Sequence, residues 1–129
     1  MKRVVVTGVG LLTSIGNDVE NTWNNLINLK SGIKKITHFD TDGLSCKIAG
    51  HISHDNNDEF YYDKSTHLDL KDIKRNDRFI QYGIAAAKMA VEDSGLTNLD
   101  ESEKLKVGVS VGSGIGGLET IYEGSLTVA

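Results

Sequence analysis

Two runs of alternating or continuous hydrophobic residues predict buried strands. Arg3–Gly8 is β-branched and ends in glycine, a pattern typical of a strand buried on both faces of a parallel sheet. In Leu105–Gly112 valines alternate with small or polar residues, which predicts a second core strand. The chain is therefore expected to contain at least part of a buried sheet.

Other hydrophobic residues recur at helical spacing and predict three helices. Asn17 or Asp18 can cap the first, whose apolar positions are Val19, Trp23, Leu26 and Ile27. The clearest helical pattern runs from Asp77 to Gly95, where the glycine is placed as a C-terminal stop. A third helix is expected to begin at Gly116 and to reach at least Tyr122.

The order of these elements indicates the fold class. Between about Ile33 and Lys74 the sequence is polar and is expected to wrap the surface as an irregular excursion. Glu101–Lys106 is expected to be a solvated connection. The order is then strand, helix, excursion, helix, strand, helix, which indicates an α/β fold with an incomplete sheet. At 129 residues the chain suits one domain, although its last residues follow a helical pattern that looks cut rather than finished.

Composition and charge narrow the function classes. The formal net charge is −4 and no lysine-rich tail is present, so nucleic acid is not expected as a partner. The longest apolar stretch is far shorter than the ~18 residues of a membrane span, and no signal-peptide pattern opens the sequence. The only cysteine, Cys46, excludes an internal disulfide. A cytoplasmic protein is expected.

The glycine-rich segment Gly112–Gly117 is the most informative motif. Because glycine has no Cβ, four glycines in this segment would let a ligand or another chain approach the backbone closely. The segment predicts a turn beside a ligand cavity. It also fits the G-x-G-x-x-G pattern of dinucleotide-binding domains, but the confirming acidic residue is expected about 20 residues further on, beyond Ala129. A dinucleotide-binding domain is therefore the less favoured alternative.

Other reactive side chains fit structural roles better than chemical ones. Cys46 has only Lys47 beside it in sequence to activate a thiol. Ser113 lacks the G-x-S-x-G frame of a nucleophilic serine. The histidines do not form a compact set of metal ligands, so neither metal nor cofactor is expected: His38, His51, His54 and His67.

A local cluster of positive charge stands out in this acidic chain. Four cations recur at i, i+3, i+4 and i+7: Lys71, Lys74, Arg75 and Arg78. They would share one face if the Asp77–Gly95 helix extended backwards by two turns. Such a face would steer and orient an acidic partner. The alternative is an ordinary solvated face, partly neutralised by Asp72 and Asp77.

These motifs together closely resemble the N-terminal part of the β-ketoacyl-acyl carrier protein synthase II family, the condensing enzymes of bacterial fatty acid elongation. The resemblance runs from end to end and is carried by these segments: Val4–Gly10, Gly16–Asn17, Thr22–Trp23, Ser31–Ile33, His38–Thr41, Phe79–Gly83 and Gly112–Gly117. It implies a thiolase-like fold of αβαβα layers, of which residues 1–129 would form part of the first α/β half. It also implies a homodimer.

The resemblance implies a decarboxylative Claisen condensation of an acyl thioester with malonyl-acyl carrier protein, which gives 3-oxoacyl-acyl carrier protein. In that family a cysteine attacks the acyl thioester and two histidines assist decarboxylation. All three match segments after residue 129, so Cys46 and the four histidines of this chain inherit no catalytic role. The chain alone is expected to be inactive, and a non-catalytic fragment or carrier-protein-binding module is the alternative.

Two binding sites implied by the resemblance fall on residues of this chain. Ile115 matches the residue that lines the acyl-chain tunnel, with Gly114 and Leu118 beside it. A basic cluster matches the surface that receives acyl carrier protein: Lys71, Lys74 and Arg75. The implied partners are therefore acyl carrier protein and the malonyl and acyl thioesters.

Overall fold

The structure, a computed structural model, describes residues 2–128 and divides into two compact units. One unit comprises Leu11–Asp63. The other combines the N-terminal segment up to Gly10 with the chain from Lys64 onward. None of the helices within residues 2–128 has the length and apolarity needed to cross a bilayer.

The Leu11–Asp63 unit contains one helix and a small sheet. Helix α1 (Val19–Ile27) begins after Asp18, whose carboxylate accepts a hydrogen bond from the Asn21 N–H at 2.7 Å. Of the two predicted caps, Asp18 is therefore the one used. Strands β1 (Ile33–Lys35) and β2 (Ile48–Gly50) pair antiparallel, with Lys34 opposite Ala49.

The segment from Ile33 to Lys74 is more ordered than the predicted irregular excursion, because it contains β1, β2 and two helical elements. Phe60, which belongs to the part of this segment before Lys64, is buried. The Lys34 ammonium lies 4.7 Å from the centre of the Phe60 ring and donates to the Asp58 carboxylate. This bond, with the Phe60 N–H, lowers the pKa of Asp58. Polar side chains here cover an aromatic core, which the sequence pattern did not reveal.

The other unit is mainly helical. After a 3₁₀ turn at Lys64–Thr66 come α2 (Leu70–Arg75) and α3 (Arg78–Ser94), followed by a second 3₁₀ turn at Leu96–Asn98. Gly95 ends α3 in the left-handed conformation, with φ of 73°, as predicted. The predicted connection after Asp100 instead begins with the short helix α4 (Glu101–Lys104). Helix α5 (Leu118–Val128) starts two residues later than predicted and continues beyond Tyr122.

The two predicted core strands form no ladder within residues 2–128, so the prediction of buried strands is wrong for this structure. Val4 is 92% exposed and Val109 is 87% exposed. The reason is that a strand is stabilised by hydrogen bonds to a neighbour, and no described segment pairs with either run.

The end of the N-terminal run and the residues after it, Gly8–Gly10, instead pack against α3. The Val9 N–H donates to the Asp93 carboxylate at 2.9 Å. A Cβ at Gly8 would collide with the backbone oxygen of Ala90, and a Cβ at Gly10 with that of Ala86. These glycines therefore allow the backbone to approach the helix directly.

Candidate functional site

An apolar cleft of about 620 Å³ lies between α3 and the segment that enters the glycine-rich turn. Its walls include Phe79, Ile80, Ile84, Ala87, Val111 and Gly112. Ligand sites in proteins are commonly apolar clefts of this size. The structure thus has a cavity beside the glycine-rich segment, where the sequence predicts one.

The residues predicted to line an acyl tunnel do not meet in this cleft. Ile115 is 75% exposed at the turn and lines none of the clefts described here. Leu118 is 57% exposed and borders a smaller cleft of about 270 Å³ together with Gly116 and Gly117. Gly114 is exposed, and a Cβ added there would meet no atom within 4 Å. The acyl-tunnel role of these three residues stays a prediction.

The glycine-rich turn is attached to the start of α3. The Asp77 carboxylate accepts the hydroxyl hydrogen of Thr120, and a Cβ at Gly117 would collide with that carboxylate. The Phe79 ring faces Gly116, where φ is 84°, and a Cβ there would lie 3.5 Å from the ring. The sequence pattern indicated that something approaches the glycines, but it did not identify Asp77 and Phe79 as the groups that do so.

A salt bridge adds to the attachment between α3 and α5. The Arg78 guanidinium lies 3.2 Å from the Glu119 carboxylate. Both side chains are more than half exposed, so this pair contributes little to stability by itself. Arg78 nevertheless has an acidic partner in this structure.

Tyr82 is half-buried close to Arg78 and Glu119, and the titration of its phenol tests how α3 and α5 pack at this point. Burial raises the pKa of the Tyr82 phenol, while Arg78 lowers it and Glu119 raises it. Above about pH 10 the unfolded chain loses this proton before the folded chain does, so the free energy of unfolding should fall with rising pH. We expect Tyr82→Phe to make this fall shallower in urea denaturation between about pH 9 and 11. The exposed Tyr122→Phe is the control, and equal slopes for both variants would contradict the assignment.

The predicted continuous basic helix is interrupted. Helix α2 ends at Arg75, Asn76 is extended with φ of −110° and ψ of 139°, and α3 begins at Arg78. The Gln81 amide, 6% exposed, donates to the Ile73 oxygen at 3.0 Å and to the Asn76 oxygen at 2.7 Å. These two bonds stabilise the break, and Arg78 therefore does not share a helix with the other three cations.

The remaining cations lie on α2 and are exposed: Lys71, Lys74 and Arg75. Within the described part of the chain, no salt bridge involves any of them. Because residues three and four apart face the same side of a helix, the three charges lie on neighbouring positions of one surface. This arrangement can bind an anionic partner.

The other reactive side chains form no comparable site. Cys46 is exposed, and its thiol donates to the Ile48 oxygen at 3.3 Å. The rings of His38 and His51 lie 5.2 Å apart. Within residues 2–128 no three histidine, cysteine or acidic side chains are grouped so that they can hold a metal ion.

Residues 1–128 match the family described as "Beta-ketoacyl synthase, N-terminal domain". The 3-oxoacyl-[acyl-carrier-protein] synthase 2 of Vibrio cholerae serotype O1 is 46% identical over 123 residues, which cover 95% of this chain and 28% of that protein. The protein of the same name from Staphylococcus aureus strain COL is 45% identical over 119 residues, 92% of this chain and 27% of that protein.

A solved structure agrees with this match. The ishigamide ketosynthase/chain length factor superposes with a TM-score of 0.66 at 30% sequence identity, covering 96% of this chain and 30% of that chain. The chain thus spans little more than a quarter of the length of the curated relatives it matches.

Proposed function

This chain belongs to the β-ketoacyl synthase family, and from that membership we propose that it forms the N-terminal part of a 3-oxoacyl-[acyl-carrier-protein] synthase of bacterial type II fatty acid synthesis. Its fold is the corresponding part of the thiolase-like α/β fold. The complete enzyme would condense an acyl thioester with malonyl-acyl carrier protein. The observation that carries the proposal is the family match over residues 1–128.

The first contribution of this chain is a wall for the acyl chain. The turn that follows the apolar cleft presents Ile115 and Leu118 with more than half of each side chain exposed. An uncovered aliphatic pair is suited to contact with a hydrocarbon chain, since contact removes apolar surface from water. In the complete enzyme this pair would line the tunnel together with polypeptide outside this sequence, which also supplies the nucleophile.

The second contribution is a docking surface for acyl carrier protein on α2. Lys71, Lys74 and Arg75 are exposed and carry three positive charges within a chain of net charge −4. A patch of positive charge on a chain of net negative charge accelerates and orients the encounter with an acidic protein. The short helix presents these charges without a described acidic side chain paired to them.

The proposal includes a cytoplasmic homodimer. Large apolar side chains are exposed in the described chain, among them Val4, Val109 and several residues of α5. Further polypeptide of the same enzyme, or a second copy, is the natural cover for such a surface.

A chimera tests the proposed function. Residues 1–128 of this chain would replace the matching part of the Vibrio cholerae synthase, and condensation of an acyl primer with malonyl-acyl carrier protein would be measured. We expect the chimera to condense and the 129-residue chain alone to show no product. A chimera that folds and dimerises yet forms no 3-oxoacyl product would contradict the proposal. Condensation by the chain alone would contradict the assignment of its catalytic residues to another segment.

A further inference from the structure

We propose that Asp77 and Phe79 are positioning residues that hold the Ile115 turn against the start of α3 and thereby set how sharply the enzyme discriminates between long and short acyl chains. The inference rests on the proposed function, because it concerns the acyl wall assigned there. Neither residue is expected to touch the reacting atoms. Both act through the backbone that carries Ile115.

The Asp77 side chain forms a different kind of hydrogen bond from the other aspartates that precede helices in this protein. Three other helices begin after an aspartate whose carboxylate accepts a backbone N–H of its own first turn: Asp18, Asp69 and Asp100. Asp77 also precedes a helix, yet its side chain makes no such bond and accepts the Thr120 hydroxyl instead. Capping by aspartate stabilises a helix, so α3 forgoes that stabilisation in favour of a contact with α5.

Phe79 and Asp77 contact two consecutive glycines directly after Ile115. Gly116 adopts φ of 84°, which side chains other than glycine rarely tolerate, and its backbone faces the Phe79 ring. Gly117 has no room for a Cβ beside the Asp77 carboxylate. The turn therefore cannot shift relative to α3 without losing one of these contacts.

The start of α3 is itself held in place by hydrogen bonds. Gln81, one turn further along α3, is buried and bonds two backbone oxygens of the α2–α3 junction. The junction thus resists movement on one side, while Asp77 and Phe79 attach the turn on the other. In this arrangement the position of Ile115 is determined by contacts, rather than left to a free glycine loop.

Loosening the attachment should change chain-length selectivity more than overall activity. In the chimeric synthase we expect Asp77→Ala to raise kcat/KM for the longest primers, relative to short ones, by about fivefold, because a proposed wall whose backbone is no longer held against α3 would yield to a longer chain. The KM for malonyl-acyl carrier protein should stay unchanged. Glu123→Gln removes a carboxylate from α5 outside the turn and is the matched control, for which no shift in the primer profile is expected.

A second variant disrupts the contact between Asp77 and Thr120 by a substitution in the glycine-rich turn. Gly117→Ala places a Cβ against the Asp77 carboxylate and should displace it from Thr120, giving a similar shift in the primer profile. The double variant Gly117→Ala with Asp77→Ala should shift the profile no further, since both changes remove one contact. A purely structural defect would instead lower activity toward all primers alike, without a shift in the primer profile.

The outcomes separate this inference from the proposed function. An active chimera whose primer profile is unchanged by Asp77→Ala and by Gly117→Ala overturns the positioning role and leaves the proposed function intact. A chimera that folds and dimerises but is inactive before any substitution overturns the proposed function instead. If Asp77→Ala does not fold, Thr120→Val removes only the hydroxyl at an exposed position, and an unchanged primer profile for that variant also overturns the inference.

Discussion

Substitution of Ile115 by phenylalanine in the chimeric synthase is expected to lower kcat/KM for long acyl primers by about 100-fold. Short primers should be affected little, because they end before reaching the added ring. The expectation follows from the proposed tunnel wall: Ile115 directly precedes Gly116, whose backbone is held against Phe79. A bulkier side chain at this position would occupy the space that the proposed tunnel gives to the end of a long acyl chain.

The measurement is a series of kcat/KM values with saturated primers of increasing length. Ile121→Phe on α5 is the matched control, since Ile121 is also exposed and the same atoms are added outside the turn. Its profile should resemble that of the unmodified chimera. An equal loss of activity at every primer length in Ile115→Phe would remove Ile115 from the tunnel wall.

Reversal of two charges on α2, by Lys74→Glu together with Arg75→Glu, is expected to weaken binding of acyl carrier protein by about 100-fold at low salt. Each exposed contact contributes about 1 kcal/mol or less, but reversal replaces attraction by repulsion at both positions. The effect should shrink as salt is added, because screening weakens attraction and repulsion alike.

Binding would be measured by titration of the carrier protein at several salt concentrations. The control is Lys104→Glu with Lys106→Glu, which alters the net charge by the same amount in and beside α4. This control should lower affinity only slightly, through the overall charge. Unchanged affinity of the α2 variant at low salt would eliminate α2 as the docking surface.

The sequence predicted α1, α3 and α5 because their signals are local, whereas α2 was not predicted as a separate helix and α4 was predicted as a connection. The bounds of α3 follow from its apolar periodicity and from Gly95, and α1 begins at a capping aspartate. The two valine-rich runs could not be predicted in the same way. Their burial depends on neighbouring strands, and no strand of the described chain pairs with either run.

The candidate site was predictable only in part, for a similar reason. Glycines reveal that a close approach occurs, so the cavity beside Gly112 followed from the sequence. The approaching groups, Asp77 and Phe79, lie on another helix, and only the fold brings them to the turn. The break after Arg75 was missed because the basic periodicity was extended through Asn76 and Asp77, although Asp77 is a typical residue to precede a helix.

The unpaired valine run near the N-terminus has a consequence during synthesis on the ribosome. Roughly 100 residues separate Gly8 from Val107, where the next valine-rich run begins. At the usual rate of elongation this corresponds to about 5–20 s between the emergence of the two segments. Throughout that interval the proline-free and uncharged stretch Val4–Gly8 would be available to other nascent chains, so early occupancy by a chaperone would favour productive folding.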